Sequence, residues 1–374
     1  MRLAFSRHGA KRQRLLETMK IVSSASAEVL KTAIGTHSGS FHCDEALACG
    51  MLKMLPEWKD ATIVRTRDES ILSQCAIVVD VGGVYDHSAL RYDHHQRTFP
   101  TTFSEIGCAT KLSSAGLVYK HYGKDIIRHI ANDCCIDEDG KALQVSEEDL
   151  QEIFEKVYRN FVEEIDGIDN GVETFSCGDS EEASIIRNYA VTTNLSARVG
   201  RFNPSWNEPS NTEIQNEQFR KAVQLTQEEF VERASGYFVS WLPARGIVSA
   251  AMKACVESKK RILIFDEFAP WKSHMFDLEK ELGVEGHVLY VLYPEDGSTR
   301  KKGKWRIQAA PVAPDSFAQR KSLPSAWCGL RDQELSAVSG IPGGVFVHAA
   351  GFIGGNHSFG GAMAMAKFAC GDHE

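Results

Sequence analysis

The sequence predicts an α/β protein of two domains: an N-terminal domain with a doubly wound parallel sheet and a second, smaller α/β domain at the C-terminus. Short apolar or β-branched runs alternate with stretches of helical periodicity up to about residue 199, which is the pattern of βαβ units. A second alternation follows residue 235. The length of 374 residues also exceeds what one ordinary core accommodates.

Four segments of the first domain are predicted strands. The run at 75–81 is almost continuously apolar, as in a strand that is buried on both faces of a parallel sheet. The other predicted strands are shorter and lie at 32–37, 62–66 and 90–95. Because ligands of open α/β sheets bind at the carboxyl ends of the strands, the residues that follow these runs are the first candidates for a site.

Helical periodicity separates and follows these strands. Asp44 can cap a helix that runs to about residue 55, where Pro56 ends it. Further helices are predicted at 113–132 and 146–165. We therefore assign residues 32–199 to the first domain.

A stretch rich in Pro, Asn and Ser at 200–211 predicts a linker, and a helix is expected from 217 to 233. We assign 200–235 to this connection and 236–374 to the second domain. Strands are predicted there at 261–265, 287–293 and 304–308, the last two as a hairpin. Glycine-rich turns and a short helix, 361–368, end the chain.

Residues 1–31 differ in composition from the rest of the chain. Seven Lys and Arg residues, six of them among residues 2–20, outnumber the two acids there, and serines follow the basic run. Such a composition is typical of organelle transit peptides, so we expect a mitochondrial location, with the nucleus or cytoplasm as the alternative. A disordered basic tail or a nuclear signal would have the same composition.

The overall charge limits the classes of function. The formal net charge is −8, which argues against a protein that coats long nucleic-acid duplexes. It does not exclude an enzyme that binds a few phosphates in a cleft where metal ions supply the positive charge. No apolar run reaches 18 residues, so no membrane partner is expected.

Imidazole and carboxylate side chains concentrate in four segments, each at the end of a predicted strand or helix. The candidate metal ligands in these segments are His37, His42, Asp44, Asp80, His94 and Asp166. Oxygen ligands mixed with imidazole suit Mn²⁺, Mg²⁺ or Fe²⁺. Since six ligands exceed the need of one ion, they predict a two-metal centre with the ions about 3.5–4 Å apart.

Each segment alone also has an ordinary explanation. A strand-end aspartate is often a loop cap, adjacent histidines are often surface residues, and the acids at 163–169 could be the solvated end of a helix. Cys43 beside His42 could form a nucleophilic pair, but no oxyanion-binding signature accompanies it. The occurrence of all four segments, each at a strand or helix end, favours the metal centre.

Asp93-His94-His95 is the tripeptide for which the DHH phosphoesterase superfamily is named, and the four segments resemble the N-terminal motifs of that superfamily. Its members include manganese pyrophosphatases, RecJ-type exonucleases and nanoRNA phosphatases. The longer phrases at 35–48, 92–96 and 351–355 are similar to the eukaryotic melanocyte-proliferating-gene family. The resemblance extends from residue 33 to the end of the chain.

The resemblance implies a role for each ligand. His37 would bind one ion, Asp44 the other, and Asp80 both. Asp166 would complete the second site, with Asp169 as the substitute. The two ions would be Mn²⁺, with Mg²⁺ as the alternative.

The same resemblance assigns the remaining residues of the first domain. His94 would be a ligand that Asp93 orients, and His95 would face the substrate phosphate or protonate the leaving group. His42 stands where many relatives have Asp, and one extra residue separates it from His37.

The glycine-rich stretch at 340–361 resembles the substrate-binding motif of DHH exonucleases. Glycines allow backbone N–H groups to form an anion-binding nest, although a plain glycine-rich turn is the alternative. The predicted substrate contacts are Arg331, Gly354, Gly355, Asn356 and His357. Arg306 is a further candidate, and Trp305 and Trp327 could either stack on bases or belong to the core.

We therefore expect a two-metal phosphodiesterase that acts on RNA or short oligonucleotides from the 3′ end and releases nucleoside monophosphates. Hydrolysis of a small phosphoanhydride or a cyclic dinucleotide on the same centre is the second hypothesis. A catalytically silent metal-binding interaction protein is the third, and the complete set of ligands argues against it.

Overall fold

The computed structural model describes residues 19–135, 144–174, 191–295, 298–314 and 316–371. The chain divides into two compact units between Val239 and Ser240. Each unit combines one sheet with helices, and the N-terminal sheet is largely parallel. The predicted α/β class with a smaller second domain is therefore confirmed.

The first unit contains a six-stranded sheet in the order β1-β3-β2-β4-β6-β5. Its strands are β1 (Ile21–Val22), β2 (Ile34–Thr36), β3 (Ile63–Arg65), β4 (Ile77–Val79), β5 (Tyr85–Asp86) and β6 (Arg91–Tyr92). Neighbouring strands are parallel except β5, which pairs antiparallel with β6. Strand order reverses between β2 and β4, and such a reversal is where open α/β sheets bind ligands.

Two strands of this sheet, β1 and β5, were not predicted. β1 lies within the segment assigned to targeting, and its two residues are too few to show a period. Met19 and Leu30 are buried in the same unit. The predicted start of the fold at Thr32 is therefore too late, whereas residues 1–18 of the targeting segment lie outside the described residues.

The helices of the first unit place one helix at its centre. They are α1 (Ala27–Leu30), α2 (Cys43–Leu52), α3 (Glu69–Leu72), α4 (Ser114–Cys134), α5 (Glu147–Val157), α6 (Glu163–Asp169), α7 (Leu195–Gly200) and α8 (Thr212–Gly236). All ten residues of α2 are buried, because α4 and α8 pack against it. A 3₁₀ turn, Ser104–Ile106, and a π-helical turn, Tyr158–Val162, precede α4 and α6.

Helix α8 differs from the predicted connection. It begins at Thr212 and buries Phe219, Val223 and Phe230. Its contact with α2 makes it part of the first unit's core. The sequence showed the helix but not the surface that it covers.

The second unit contains a five-stranded mixed sheet in the order β10-β11-β9-β8-β7. Its strands are β7 (Ile262–Ile264), β8 (Tyr290–Pro294), β9 (Trp305–Ala309), β10 (Gly344–Val347) and β11 (Ile353–Asn356). β8 and β9 pair antiparallel, which confirms the predicted hairpin. β10 and β11 form within the glycine-rich stretch, where no strand was predicted.

Four helices accompany this sheet: α9 (Leu242–Glu257), α10 (Lys272–Leu282), α11 (Asp332–Ser339) and α12 (Phe359–Cys370). A π-helical turn, Tyr237–Trp241, precedes α9, and a 3₁₀ turn, Ser325–Trp327, precedes α11. Trp305 and Trp327 are buried in the core, so neither is available to stack on a base. Within the described ranges, no helix combines the length and apolar character that crossing a membrane requires.

Candidate metal centre

The carboxyl ends of β2, β4 and β6 bring three predicted ligands together. His37 follows β2, Asp80 follows β4 and His94 lies two residues beyond β6. Asp80 Oδ2 lies 3.4 Å from His37 Nε2, and Asp80 Oδ1 lies 3.4 Å from His94 Nε2. Each carboxylate oxygen of Asp80 therefore faces a different imidazole.

The backbone turns sharply at Asp80. Its φ of 57° is in the left-handed region, and Gly82 and Gly83 follow with φ of 101° and 68°. Aspartate tolerates this region better than most residues, and such positions are concentrated at functional sites. The turn ends β4 and leaves the Asp80 side chain buried among the histidines.

Burial and hydrogen bonding oppose each other at these three residues. Burial alone would raise the pKa of Asp80, but its hydrogen bonds with His37 and His94 hold that pKa well below the usual range. Burial alone would lower the pKa of both histidines, but their carboxylate partners raise it to about 10. Without a metal, the site is therefore a network of ion pairs.

The N-terminus of α2 adds further ligands. Asp44 is fully buried, and its Oδ2 lies 4.0 Å from His94 Nε2. Burial and repulsion from Asp80 raise the pKa of Asp44 well above its usual value. The neighbouring Glu45 places Oε1 2.9 Å from His37 Nε2, so a second α2 carboxylate also faces the histidines.

Asp166 was predicted to complete the site, but the structure places it outside the cluster. Its Oδ1 accepts hydrogen bonds from Ser113 N, Ser113 Oγ and Gly116 N at 2.9, 2.7 and 3.0 Å. Its Oδ2 accepts one from Tyr158 at 2.9 Å, which leaves Asp166 committed to the fold. Asp169, the substitute, instead places Oδ2 2.9 Å from His94 Nε2.

Asp93 was predicted to orient His94, but it contacts His95. Asp93 Oδ1 lies 2.9 Å from His95 Nδ1 and also accepts the His95 backbone N–H at 3.0 Å. His94 Nδ1 lies 3.3 Å from the side-chain oxygen of Asn170. The His95 side chain is 61% exposed, so, unlike buried His94, it can be reached by a ligand from solvent.

Three overlapping groups of side chains could hold a metal ion, with the ligand atoms of each group within 4.8 Å of one another. The groups are His37, His42, Glu45 and Asp80; Asp80, His94 and His95; and His42, Asp44 and Asp169. Among the described residues, Asp44 Oδ1 is buried without a hydrogen-bond partner, whereas buried His94 Nε2 and Asp169 Oδ2 lie 2.9 Å apart. A buried carboxylate oxygen is ordinarily satisfied, so Asp44 and the groups around it fit a divalent cation.

The segment that carries His37 and His42, here called the metal loop (residues 37–42), is held from two directions. Buried Arg65 donates to Gly39 O at 2.7 Å. Asn203 accepts from the Phe41 backbone N–H at 3.0 Å and donates to Phe41 O at 2.8 Å. These contacts fix the backbone that carries His37 and His42.

Sequence reasoning missed several of these partners. Glu45 was not among the candidate ligands, because a glutamate at the third helical position is ordinarily part of a capping box, and it does accept the His42 backbone N–H. Exposed Arg67 places Nη2 3.2 Å from His37 Nδ1 and lies outside the four ligand-rich segments. No pattern in the sequence singled out Asn170 or Asn203 as side-chain partners.

Two glycines of the predicted anion-binding nest are not free to bind an anion through their backbone. Gly354 and Gly355 lie in β11, which is paired with β9 on one side and β10 on the other. Pairing on both sides occupies the backbone N–H groups of an interior strand. A Cβ at Gly354 would lie 2.9 Å from the Phe346 carbonyl oxygen, so close packing against backbone explains this glycine.

The other predicted substrate contacts differ in exposure. Asn356 is fully buried, donates to Pro342 O at 3.0 Å and accepts from Ser358 N at 3.0 Å. His357 and Arg331 are exposed, and the Arg331 guanidinium lies 5.8 Å from the Phe346 ring centre. Of the five, only these last two offer side chains to a ligand.

The α/β sheet presents imidazole and carboxylate groups at its switch point, an arrangement that can hold the ions of a metal-dependent hydrolase. Residues 33–370 match the profile of the MYG1 exonuclease family, which is described as an uncharacterised protein family (UPF0160). The chain belongs to this family. Membership and the ligand cluster together make it a metal-dependent phosphodiesterase.

Curated relatives are similar over most of the chain. The MYG1 exonuclease of Mus musculus is 47% identical over 345 residues, which cover 89% of this chain and 83% of the relative. The MYG1 protein of Dictyostelium discoideum is 45% identical over 335 residues, covering 89% and 94%. The MYG1 protein YER156C of Saccharomyces cerevisiae is 41% identical over 337 residues, covering 89% and 94%.

A solved structure also aligns with the chain. It is the pGpG-specific phosphodiesterase PggH from Vibrio cholerae, with 14% identity over 91% of this chain and 99% of that chain. The TM-score of 0.24 is too low for the alignment to support a structural comparison.

Proposed function

We propose that the protein shortens RNA or short oligonucleotides from the 3′ end and releases nucleoside monophosphates, with two divalent cations as cofactors. Mn²⁺ is the proposed ion and Mg²⁺ the alternative, since both suit mixed oxygen and imidazole ligands. The observation that carries the proposal is the position of Asp80 between His37 and His94, beside exposed His95. The exonuclease family supports a nucleic-acid substrate.

The chain's residues would divide between two cation positions that share Asp80. His37 and Glu45 would serve the first position, and Asp169 and His94 the second. Bound cations would neutralise phosphate charge and activate water for the attack on phosphorus. The protein's own part is to hold these ligands in place before the substrate arrives.

His95 would contact the phosphate or protonate the leaving oxygen. Its contact with Asp93 fixes Nδ1, so Nε2 is the atom left to face a ligand. Asp93 would act as a positioning residue, because it touches His95 and the backbone N–H of Gly83 at 2.5 Å. A proton moves from Nε2 to the leaving oxygen only if this orientation is kept.

A ladder assay on 5′-end-labelled RNA with Mn²⁺ tests the proposal. Removal of one nucleotide at a time from the 3′ end produces successively shorter labelled products, and we expect this pattern. Immediate release of a labelled mononucleotide would show the opposite polarity. Asp80→Ala and His94→Ala should abolish the ladder, and DNA of the same sequence measures the preference for RNA.

The same preparation separates the other hypotheses. Pyrophosphate and a cyclic dinucleotide are supplied beside the RNA under identical conditions. Rapid phosphate release with intact RNA would favour a small-phosphoanhydride hydrolase. If no phosphoester is cleaved with any divalent metal, but Mn²⁺ still raises Tm, the protein is a silent metal-binding protein.

We also propose that the basic N-terminal segment directs the protein to mitochondria. Its surplus of Lys and Arg and its serines support this location. Full-length protein with a C-terminal fluorescent tag should co-localise with a mitochondrial marker. Replacing the basic residues among 1–18 by Gln should abolish this, and nuclear or cytoplasmic signal from the unaltered protein would contradict it.

A further inference from the structure

One tryptophan of the first unit lies almost entirely in solvent. Trp206 is 97% exposed, whereas Trp241, Trp271, Trp305 and Trp327 are all buried. No aromatic or cation contact to Trp206 is found among the described residues. A single exposed apolar ring is common on protein surfaces, so the position of Trp206 relative to the metal centre decides whether it has a function.

The segment that carries Trp206, here called the Trp206 loop (residues 201–208), is attached to the metal loop. Asn203 makes two hydrogen bonds with the Phe41 backbone, and Phe41 directly precedes His42. Helix α7, which leads into the Trp206 loop, packs against α2. The Trp206 loop is therefore anchored to the two elements that carry the candidate ligands.

The tip of the Trp206 loop is itself a closed turn. Ser205 N donates to Glu208 Oε2 at 2.7 Å, and Glu208 N donates to Ser205 O at 2.9 Å. Trp206 lies between these two residues. Its backbone is therefore held in place while its ring projects into solvent, which reduces the entropy lost when the ring binds a partner.

The chain length between Trp206 and Asn203 limits their separation. Three residues span at most about 11 Å, so the Trp206 backbone lies within that distance of the residue that holds the metal loop. Asn203 in turn bonds Phe41, the residue before His42. A nucleic acid with a phosphate at the metal centre would therefore reach the Trp206 backbone within a few nucleotides. Arg201, at the start of the Trp206 loop, is exposed and adds a positive charge there.

We propose that Trp206 is a base-stacking residue for single-stranded substrate, a few nucleotides from the scissile phosphate. This inference rests on the proposed function and deepens it. Every base has a π-face, so an exposed indole binds single strands with little sequence preference. A long substrate would gain affinity from this contact, whereas a dinucleotide too short to reach the ring would not.

The test compares Trp206→Ala and Trp206→Phe with the unaltered protein. Phe317→Ala is the matched control, because Phe317 is a second almost fully exposed aromatic residue and lies in the other unit. Steady-state cleavage of a six-nucleotide RNA with Mn²⁺ is measured together with the Mn²⁺-induced rise in Tm. A series of the same RNA with one abasic position at a time identifies the nucleotide that stacks.

Trp206→Ala should raise KM about tenfold and leave kcat within about twofold, because stacking contributes to binding and not to the chemical step. Trp206→Phe should keep most of the affinity, and Phe317→Ala should change nothing. One abasic position should raise KM for the unaltered protein but not further for Trp206→Ala. The Mn²⁺-induced rise in Tm should be the same in all four proteins.

Three results would overturn the proposal. In the first, Trp206→Ala keeps the KM of the unaltered protein. In the second, it loses affinity equally for intact and abasic RNA, which would assign Trp206 to a structural role. In the third, it loses a dimer that sedimentation detects in the unaltered protein, which would assign Trp206 to a protein contact.

Binding of labelled RNA is measured separately by fluorescence anisotropy in Ca²⁺. Absence of any cleavage by the unaltered protein would refute the proposed activity. Equal RNA binding by the unaltered protein and Trp206→Ala would refute the stacking.

Discussion

Two aspartates three residues apart on helix α6 have opposite environments. Asp166 points towards the N-terminus of α4, where Ser113 and Gly116 donate to it. Burial raises its pKa to about 7, although these hydrogen bonds act in the other direction. Asp169 points towards His94 and is partly accessible, with 15% of its side chain exposed. We therefore expect Asp166 to stabilise the fold and Asp169 to bind metal.

Replacing each aspartate by asparagine separates these roles. Asp166→Asn should lower the free energy of unfolding by about 1–3 kcal/mol, since the amide cannot accept every hydrogen bond that the carboxylate accepts. Asp169→Asn should weaken Mn²⁺ binding and keep a stability closer to that of the unaltered protein. Chemical denaturation in EDTA and titration calorimetry with Mn²⁺ measure the two effects. If Asp166→Asn instead weakened Mn²⁺ binding and Asp169→Asn lowered stability, Asp166 would be the metal ligand.

From the contact between Asp93 and His95 we expect that replacing Asp93 lowers the rate of the reaction but not the affinity for Mn²⁺. Asp93→Asn should lower kcat by about 10–100-fold, as is common when a residue that orients a functional histidine is replaced. His94 is held by Asn170, so Mn²⁺ affinity should be unchanged. Steady-state kinetics and calorimetry check this, with Asp86→Asn at the exposed end of β5 as the control. A large fall in Mn²⁺ affinity would show instead that Asp93 supports the ligands.

At the scale of elements, the N-terminus of α4 organises the site. Ser114 N donates to Asp44 at 3.3 Å, and Ser114 Oγ donates to Asp80 at 3.1 Å. The positive end of a 21-residue helix therefore faces these carboxylates, which partly offsets their repulsion. Gly116, in the first turn, allows Asp166 to approach.

The close approach at Gly116 reverses the usual effect of alanine in a helix. Alanine is ordinarily about 1 kcal/mol more favourable than glycine there. At Gly116 the added Cβ would lie 2.5 Å from Asp166 Oδ1, so Gly116→Ala should lower Tm. Gly246→Ala in α9 meets nothing within 4 Å and should raise Tm. Calorimetric melting of both variants tests this, and stabilisation by Gly116→Ala would show that Asp166 can move away.

At the scale of the whole molecule, the pH dependence of stability includes a contribution from His121. His121 Nε2 lies 2.8 Å from the Tyr85 hydroxyl, and its ring stacks on His87 at 3.7 Å. Burial, together with the positive charges of His87 and Lys120, lowers the pKa of His121 from 6.5 to about 4. The native protein therefore keeps His121 neutral in acid that protonates the unfolded chain.

The direction in which His121 changes stability with pH follows from proton uptake. Between pH 6.5 and 4 the unfolded state binds a proton at His121 that the native state does not, so stability falls as pH falls through this window. The free energy of unfolding of the unaltered protein minus that of His121→Phe should decrease from pH 7 to pH 4.5. Urea denaturation at several pH values measures this, with exposed His129→Asn as the control. A difference independent of pH would contradict the prediction.

Much of the fold could be predicted from local patterns. The apolar run at 75–81 contains β4, and the segments at 287–293 and 304–308 pair as the predicted hairpin. β1 and β5 have two residues each, which is too short for a period of two to appear. Such strands are defined by the neighbours that they pair with, and pairing is a property of the tertiary structure.

The candidate site could be predicted from the sequence to a similar extent. The order of the ligand-rich segments indicated that His37, Asp80 and His94 would meet, because parallel strands end at one edge. Which of Asp166 and Asp169 faces that edge depends on the packing of α6 against α4, and their spacing in the sequence does not decide it. The pairing of Asp93 with His95 depends in the same way on the turn after β6.

The sequence by itself determined the α/β class, the segments that carry the ligands and the family to which the chain belongs, since these depend on residue types and their order. The tertiary structure alone decided which carboxylates face His37 and His94, why Gly354 is a glycine and where Trp206 lies. These outcomes depend on side chains far apart in the chain, such as Asn203 and Phe41, and local patterns do not specify the distances between such residues.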